Sequence, residues 1–255
     1  MISLTEAQLA AWVSPVLWPF LRILAVFTAA PVLSSRAFPV RAKIGLAFFV
    51  AFAAQPSLPD QAVISIMGPD ALGAVVQQVG IGLAIGFTVR LVFAAFELAG
   101  QVVGFQMGLG FAAFFDPSSS AQSSAMGRFY ANLAALLFVV LNGHLLLIMA
   151  VVHSFTTFPL DQNFLQAAAT MQLHTLGAKL FSSAFWISLP VVAMLMFANL
   201  ALGIVSRVAP QMNIYAIGFP VTLLVGLLGV AVTLPMLDQP FAGLMEQMLE
   251  LFGRR

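Results

Sequence analysis

Long apolar runs separated by short polar breaks run through the chain, and the breaks predict its elements. A first apolar helix extends to about Ala30, with Trp12, Pro15, Trp18, Pro19 and Arg22 inside it. Ser3 and Glu6 have the spacing of a capping box at its start. Leu33 to Lys43 is a short basic connection carrying Arg36, Arg41 and Lys43. The next run, Ile44 to Ala54, has eleven residues, about 16 Å of helix against a hydrocarbon core of about 30 Å, so it cannot span a bilayer alone. Gln55 to Gln61 is a proline-bounded turn, and Ala62 to Met67 a less regular piece. Gly68-Pro69-Asp70 then opens a long helix through Gly82, Gly86, Arg90 and Glu97. A fourth long element is expected over Ala125 to Val152, with Arg128 near its start and Asn142 and His144 inside. Ser154 to Thr175 is a polar connection with a short helix around Phe164–Gln172. Two long apolar segments, Leu176–Val205 and Tyr215–Leu237, are joined by a short turn and predict a helical hairpin. Pro190 is expected to kink the first and Pro220 to sit near the start of the second. From Asp238 onward Phe241, Leu244, Met245, Met248, Leu249 and Phe252 oppose Glu246 and Glu250, the pattern of an amphipathic helix.

One stretch stands apart, Gly100 to Ser124. Gly100, Gly104 and Gly108 lie four apart and form a smooth helical stripe that another backbone can approach closely; Gly82 and Gly86 make a second such contact. Gly110 breaks the period, Phe111, Phe114 and Phe115 follow, and Asp116-Pro117 starts a turn. The stretch reads as a close-packed helix running into a polar arm with an aromatic head. It is an ordinary membrane-protein loop or a gate, in which Phe105, Gln106, Met107, Gly108, Gly110, Phe111, Phe114, Phe115, Asp116 and Pro117 close a pore.

Composition decides the solvent. The 255 residues are 61% hydrophobic and 7% charged, with mean hydropathy +1.03, where a soluble domain carries about 25% charged residues. Such a chain must turn its apolar faces to lipid or other subunits. The absence of cysteine excludes disulfide and thiolate chemistry, and the net charge of +1 leaves no footprint for nucleic acid. No basic region precedes the first apolar run, so residues 1–30 are expected to belong to the mature protein. A positive-inside count gives six segments with 33–43, Arg128 and Arg207 cytoplasmic.

No catalytic constellation is present in the sequence. His144, His153 and His174 lack zinc-site spacing, and there is no phosphate loop or nucleophile elbow, so neither enzyme, cofactor nor metal is expected. The charges inside apolar segments are Arg22, Arg90 and Glu97. Arg90 and Glu97 are seven apart, near one face but too far for a direct bond within one helix, so each is expected to find a partner on a neighbouring element.

GFQMGLGFAAFFDPSSS together with RVAPQMNIYAIGFPVTLLVGLL resembles the FliR family of bacterial flagellar export-gate proteins, close relatives of the injectisome type III secretion proteins. The Ala-Pro-Gln-x-Asn turn followed by Gly-x-Pro, made of Ala209, Pro210, Gln211, Asn213, Gly218 and Pro220 after Arg207, is the more specific part. Val221 and Thr222 stand where injectisome relatives carry a basic residue, which favours the flagellar branch. The resemblance covers nearly the whole chain.

It implies an all-α, membrane-associated chain of helical hairpins in a hetero-oligomeric assembly: a FliP-like part over 1–175 with a plug loop near 104–124, a FliQ-like hairpin over 176–237, and an amphipathic tail over 238–255. It implies assembly with FliP-like and FliQ-like subunits in the bacterial inner membrane at the flagellar basal body, partly on the periplasmic side. An FlhB-like subunit would associate; the hairpin turn with Arg207, Pro210, Gln211 and Asn213 either presents its polar groups to that partner or only reverses the chain. Unfolded export substrates would pass in transit, and lipid would cover part of the surface. Partners covering the helix faces would explain the embedded charges and the short second run. An injectisome homologue and a small secondary transporter stand as alternatives; a transporter should show two related halves, and no such repeat is seen.

Overall fold

The computed structural model describes residues 6–36, 38–59, 64–65, 68–111, 124–160, 167, 169, 171–211 and 214–253. Among them every regular element is helical: α1 (Glu6–Ala29), α2 (Val40–Ala54), α3 (Ala71–Gln106), α4 (Ala125–Val140), α5 (Gly143–Thr157), α6 (Leu173–Val208), α7 (Ile214–Thr233) and α8 (Asp238–Gly253), with short 3-10 turns between some of them. The all-α class thus holds. Four helices are long and apolar enough to cross a membrane, or five if α4 and α5 count as one broken span, which revises the six-segment count. The short α2 falls out, as its length requires.

The expected single element over Ala125–Val152 is two helices. Asn142 adopts a left-handed backbone (φ 55°) between α4 and α5, a conformation that asparagine tolerates better than most residues. Ser124, just before α4, caps it by accepting a hydrogen bond from Gly127 N at 3.0 Å. At the start of α3, Ala74 N donates to Asp70 O at 3.0 Å, as the Gly-Pro-Asp signal suggested. Ser3 of the expected capping box, Arg254 and Arg255 lie outside the described residues, as does most of the expected short helix near Phe164.

The chain forms two compact units that do not follow chain order. The first comprises Met1–Leu91, Asn142–Gly177 and Met245–Arg255; the second comprises Val92–Leu141 and Ala178–Leu244.

In the first unit, α3 receives α1 on a glycine seat. A Cβ on Gly82 would overlap the carbonyl of Arg22 and approach Ala25 Cβ to 2.7 Å; one on Gly86 would meet Ala29 Cβ at 2.5 Å and Val26 O at 3.1 Å. That approach carries Arg22 into the interior, where it is wholly buried. Its Nε donates to Gln78 Oε1 (2.8 Å), Nη1 to Ser154 Oγ (2.9 Å) and Nη2 to Phe158 O (2.9 Å), while the guanidinium lies 3.7 Å from the Phe155 ring centroid. Gln77 Nε2 donates to Pro159 O at 2.8 Å beside it. A buried cation costs several kcal/mol unless its donors are satisfied. Here three neutral acceptors and an aromatic face satisfy it, joining α1, α3 and the end of α5. Arg22 is therefore covered by its own chain.

In the second unit α6 and α7 form the expected hairpin. Gly218 faces Leu202, and a Cβ on Gly229 would stand 2.9 Å from Met194 Cε, so the helices run antiparallel. The helix continues through Pro190. Phe241, at the start of α8, stacks edge-on to Phe93 and Phe96 of α3, with centroids at 6.2 and 5.4 Å. Farther along α8, Phe252 belongs to the first unit and meets Phe158 at 6.4 Å. All six apolar residues expected on the inner face of α8 are buried, and Glu246 and Glu250 point out.

Removing the acceptor of a buried charge leaves it unpaired. Gln78→Leu is expected to lower stability by about 1.5–3 kcal/mol, and Gln77→Leu, which loses a neutral bond, by about 0.5–1.5 kcal/mol. Thermal unfolding in detergent micelles measures both, and equal losses would remove the guanidinium from the centre of the network.

Candidate functional site

The residues singled out as a gate begin where α3 ends, and the end is built by two features. Met107 N still bonds Val103 O (2.9 Å) and Gly108 N bonds Phe105 O (3.0 Å), but Gly108 has φ 84°, a backbone that a side chain resists. The chain then enters a 3-10 turn, Leu109–Phe111. Gly108 thus marks the end of the helix.

Met107 sits in a socket. Its side chain is wholly buried, and a Cβ on Gly226 of α7 would overlap its Cγ and stand 2.8 Å from its Sδ and Cε. One helical turn earlier, Thr222 Oγ1 donates to Met107 O at 3.2 Å and reaches Phe219 O at 3.1 Å. Within this chain Met107 fills the seat that Gly226 leaves vacant. Phe105, two residues back, is 69% exposed, Gln106 is exposed, and the Phe105 ring lies over Gly110, whose Cβ would stand 2.8 Å from Phe105 Cδ1. Phe114, Phe115, Asp116 and Pro117 lie outside the described residues, and Phe111 is described in its backbone only.

The glycine stripe does meet a helix backbone, and that helix belongs to the same chain. A Cβ on Gly100 would overlap the carbonyl oxygen of Met126 in α4 and approach Tyr130 Cβ to 2.9 Å. Gly104 has more room, with Met126 Cβ at 3.3 Å and Ser124 Oγ at 3.4 Å. From the other side, Gly127 admits Gln101 Cγ at 2.9 Å.

Of the three charges expected to be buried, only Arg22 is enclosed. Arg90 is exposed, because it continues the outward stripe of Val76, Leu83 and Phe87 on α3. Glu97 is half-buried and accepts from Gln101 Nε2 at 3.4 Å. At the hairpin turn Arg207 closes α6, Ala209 N bonds Val205 O (2.8 Å), and Pro210, Gln211 and Pro220 are exposed. Gly218 is half-buried, and Asn213 lies outside the described residues.

Thr222, noted in the sequence only for the basic residue it stands in place of, and Gly226 were not singled out as packing residues. A signal existed, since the two are small and four apart in a helix, the spacing already noted at Gly82 and Gly86. Ser124 as helix cap and Gly127 as seat for Gln101 were missed in the same way.

Two substitution series check this geometry. Gly100→Ala is expected to destabilise by about 1–3 kcal/mol, the range for overpacking, and Gly104→Ala by clearly less. Gly226→Ala and Met107→Ala should couple by about 0.5–3 kcal/mol in a double-mutant cycle, because shortening Met107 makes room for the added methyl. Unfolding of the four single and double variants in micelles reads both effects, and strict additivity of the second pair would dissolve the socket.

The chain matches the family described as bacterial export proteins, family 1, over residues 13–248. It is 42% identical over 239 residues to flagellar biosynthetic protein FliR of Escherichia coli (strain K12), covering 93% of this chain and 90% of that protein. It is 38% identical to the protein of that name in Pectobacterium carotovorum subsp. carotovorum, covering 95% and 92%. With the Bacillus subtilis (strain 168) protein the identity is 33%, covering 81% and 80%. A match of that extent, with identity holding across almost the full length of the relatives, places the chain in bacterial export proteins, family 1, together with the flagellar biosynthetic proteins FliR.

Proposed function

We propose that the chain is a non-enzymatic core subunit of the flagellar type III protein export gate. It works in the bacterial inner membrane, at the flagellar basal body, with FliP-like and FliQ-like subunits and an FlhB-like subunit. Together they form the channel that unfolded flagellar subunits cross. The observation that carries this reading is the face of the α6–α7 hairpin. Phe181, Phe185, Trp186, Phe197, Leu200, Leu224 and Leu228 are all more than half exposed, within a family of export proteins. Large apolar side chains exposed in this number require cover by lipid or protein.

Within the gate, residues 105–117 are the closing element. Met107 anchors its base through Thr222 and Gly226, Gly108 and Gly110 give the turn its freedom, and the aromatic residues that follow fill the passage. A hydrophobic constriction of this kind holds back water and ions without a charged ring. Arg207, Pro210, Gln211 and Asn213 at the hairpin turn present the polar surface to which the FlhB-like subunit binds.

Co-expression with FliP-like and FliQ-like chains should yield one stable complex on purification, and a chain that purifies alone would sink the assignment. Deleting Phe111 to Ser120 should leave a complex that assembles with normal yield and passes ions and small molecules in a membrane-permeability assay. A deleted complex as tight as the parent would move the seal elsewhere. Failure to assemble would make the aromatic residues packing groups.

A further inference from the structure

We infer that the outer face of α2 is a binding surface for an anionic phospholipid of the surrounding bilayer. The inference rests on the membrane placement proposed above and is independent of the gate. Helix α2 sorts its residues in reverse of a water-soluble helix. Lys43, Ala47 and Ala51 are its buried residues, the last two small, and α2 packs beside α1, where Phe20 meets Phe48 edge-on at 6.4 Å. The large residues point away: Val40, Ile44, Phe48 and Phe52, each four from the next, with Phe49 beside them at 70% exposure. Between Ile44 and Ala54 there is no polar side chain.

The charge is confined to one end of this stripe. Arg36 and Arg41 are exposed, and neither makes a hydrogen bond or ion pair with a described residue. No Asp or Glu occurs between Glu6 and Asp60, so this segment holds no carboxylate to neutralise them. Lys43 Nζ donates to Ser35 O at 3.4 Å and ties the basic turn to the first turns of the helix. Guanidinium groups match phosphate oxygens through paired N–H donors. From Val40 to Phe52 the stripe runs about 18 Å, little more than half of a hydrocarbon core of about 30 Å. Cations at one end and one leaflet's depth of uninterrupted apolar surface are the complement of a single layer of anionic phospholipid, with phosphate at the surface and acyl chains beneath.

The test uses the chain in its co-purified complex in uncharged detergent. It is offered phosphatidylglycerol and phosphatidylcholine with the same acyl chains at equal concentration, and retained lipid is counted by native mass spectrometry. Phosphatidylglycerol should be retained in preference. The Arg36→Gln, Arg41→Gln double variant should lose that preference by roughly twenty-five-fold, about fivefold for each charge, with phosphatidylcholine retention unchanged. Arg36→Lys with Arg41→Lys should fall between, because charge survives and the paired donors do not. Both arginines are exposed, so helix content by circular dichroism should match the parent. Equal retention of the two lipids, or an unchanged preference in the double variant, overturns the lipid surface alone. Retention of neither overturns the membrane placement as well. In the assembled complex a photocrosslinker at Phe49 should capture lipid, and capture of a protein subunit overturns the inference.

Discussion

Close approach between helix backbones along α3 is the constraint on which the rest of the structure depends. In an apolar surrounding there is little hydrophobic gain in pressing one greasy helix on another, so packing distance decides which helices hold together. Gly82 and Gly86 let α1 come within backbone contact, and only at that distance does the Arg22 guanidinium reach Gln78 and the end of α5. Gly100 does the same for α4 in the second unit, and Gly104 leaves room for the Met126 and Ser124 side chains. Past the end of α3, Met107 enters the gap left by Gly226.

Arg22 shows how a charge in an apolar segment can be structural. Ion-pathway charges need room and water, whereas this one has neutral acceptors on three of its donors and an aromatic ring against its face. Arg90, on the same long helix as Gln78, has the opposite setting and lies on an outward apolar stripe. Among the described residues it makes no hydrogen bond.

Periodicity and breaks made most helices legible. The hairpin, the amphipathic last helix and the glycine-backed long helix follow from residue spacing, because small residues at four-residue intervals mean the same thing in sequence and in structure. The break at Asn142 was not legible, since Asn-Gly inside an apolar run gives a weak signal until the left-handed asparagine is seen. The candidate site was half legible. Residues 105–110 stood out by composition, but the socket that holds them comes from Thr222 and Gly226, more than a hundred residues away, and no local pattern reports such a meeting. Burial of Met107 likewise depends on that distant glycine.

The central claim is that Met107 anchors the closing element while Phe105 and the residues beyond it face the passage. The chain contains no cysteine, so a single introduced thiol reports without background. The most direct measurement is the rate at which a membrane-impermeant thiol reagent modifies Phe105→Cys and Met107→Cys in the assembled complex during active export. The account predicts rapid modification at position 105 and protection at position 107. Modification at 107 as fast as at 105, or protection of both throughout export, would contradict it.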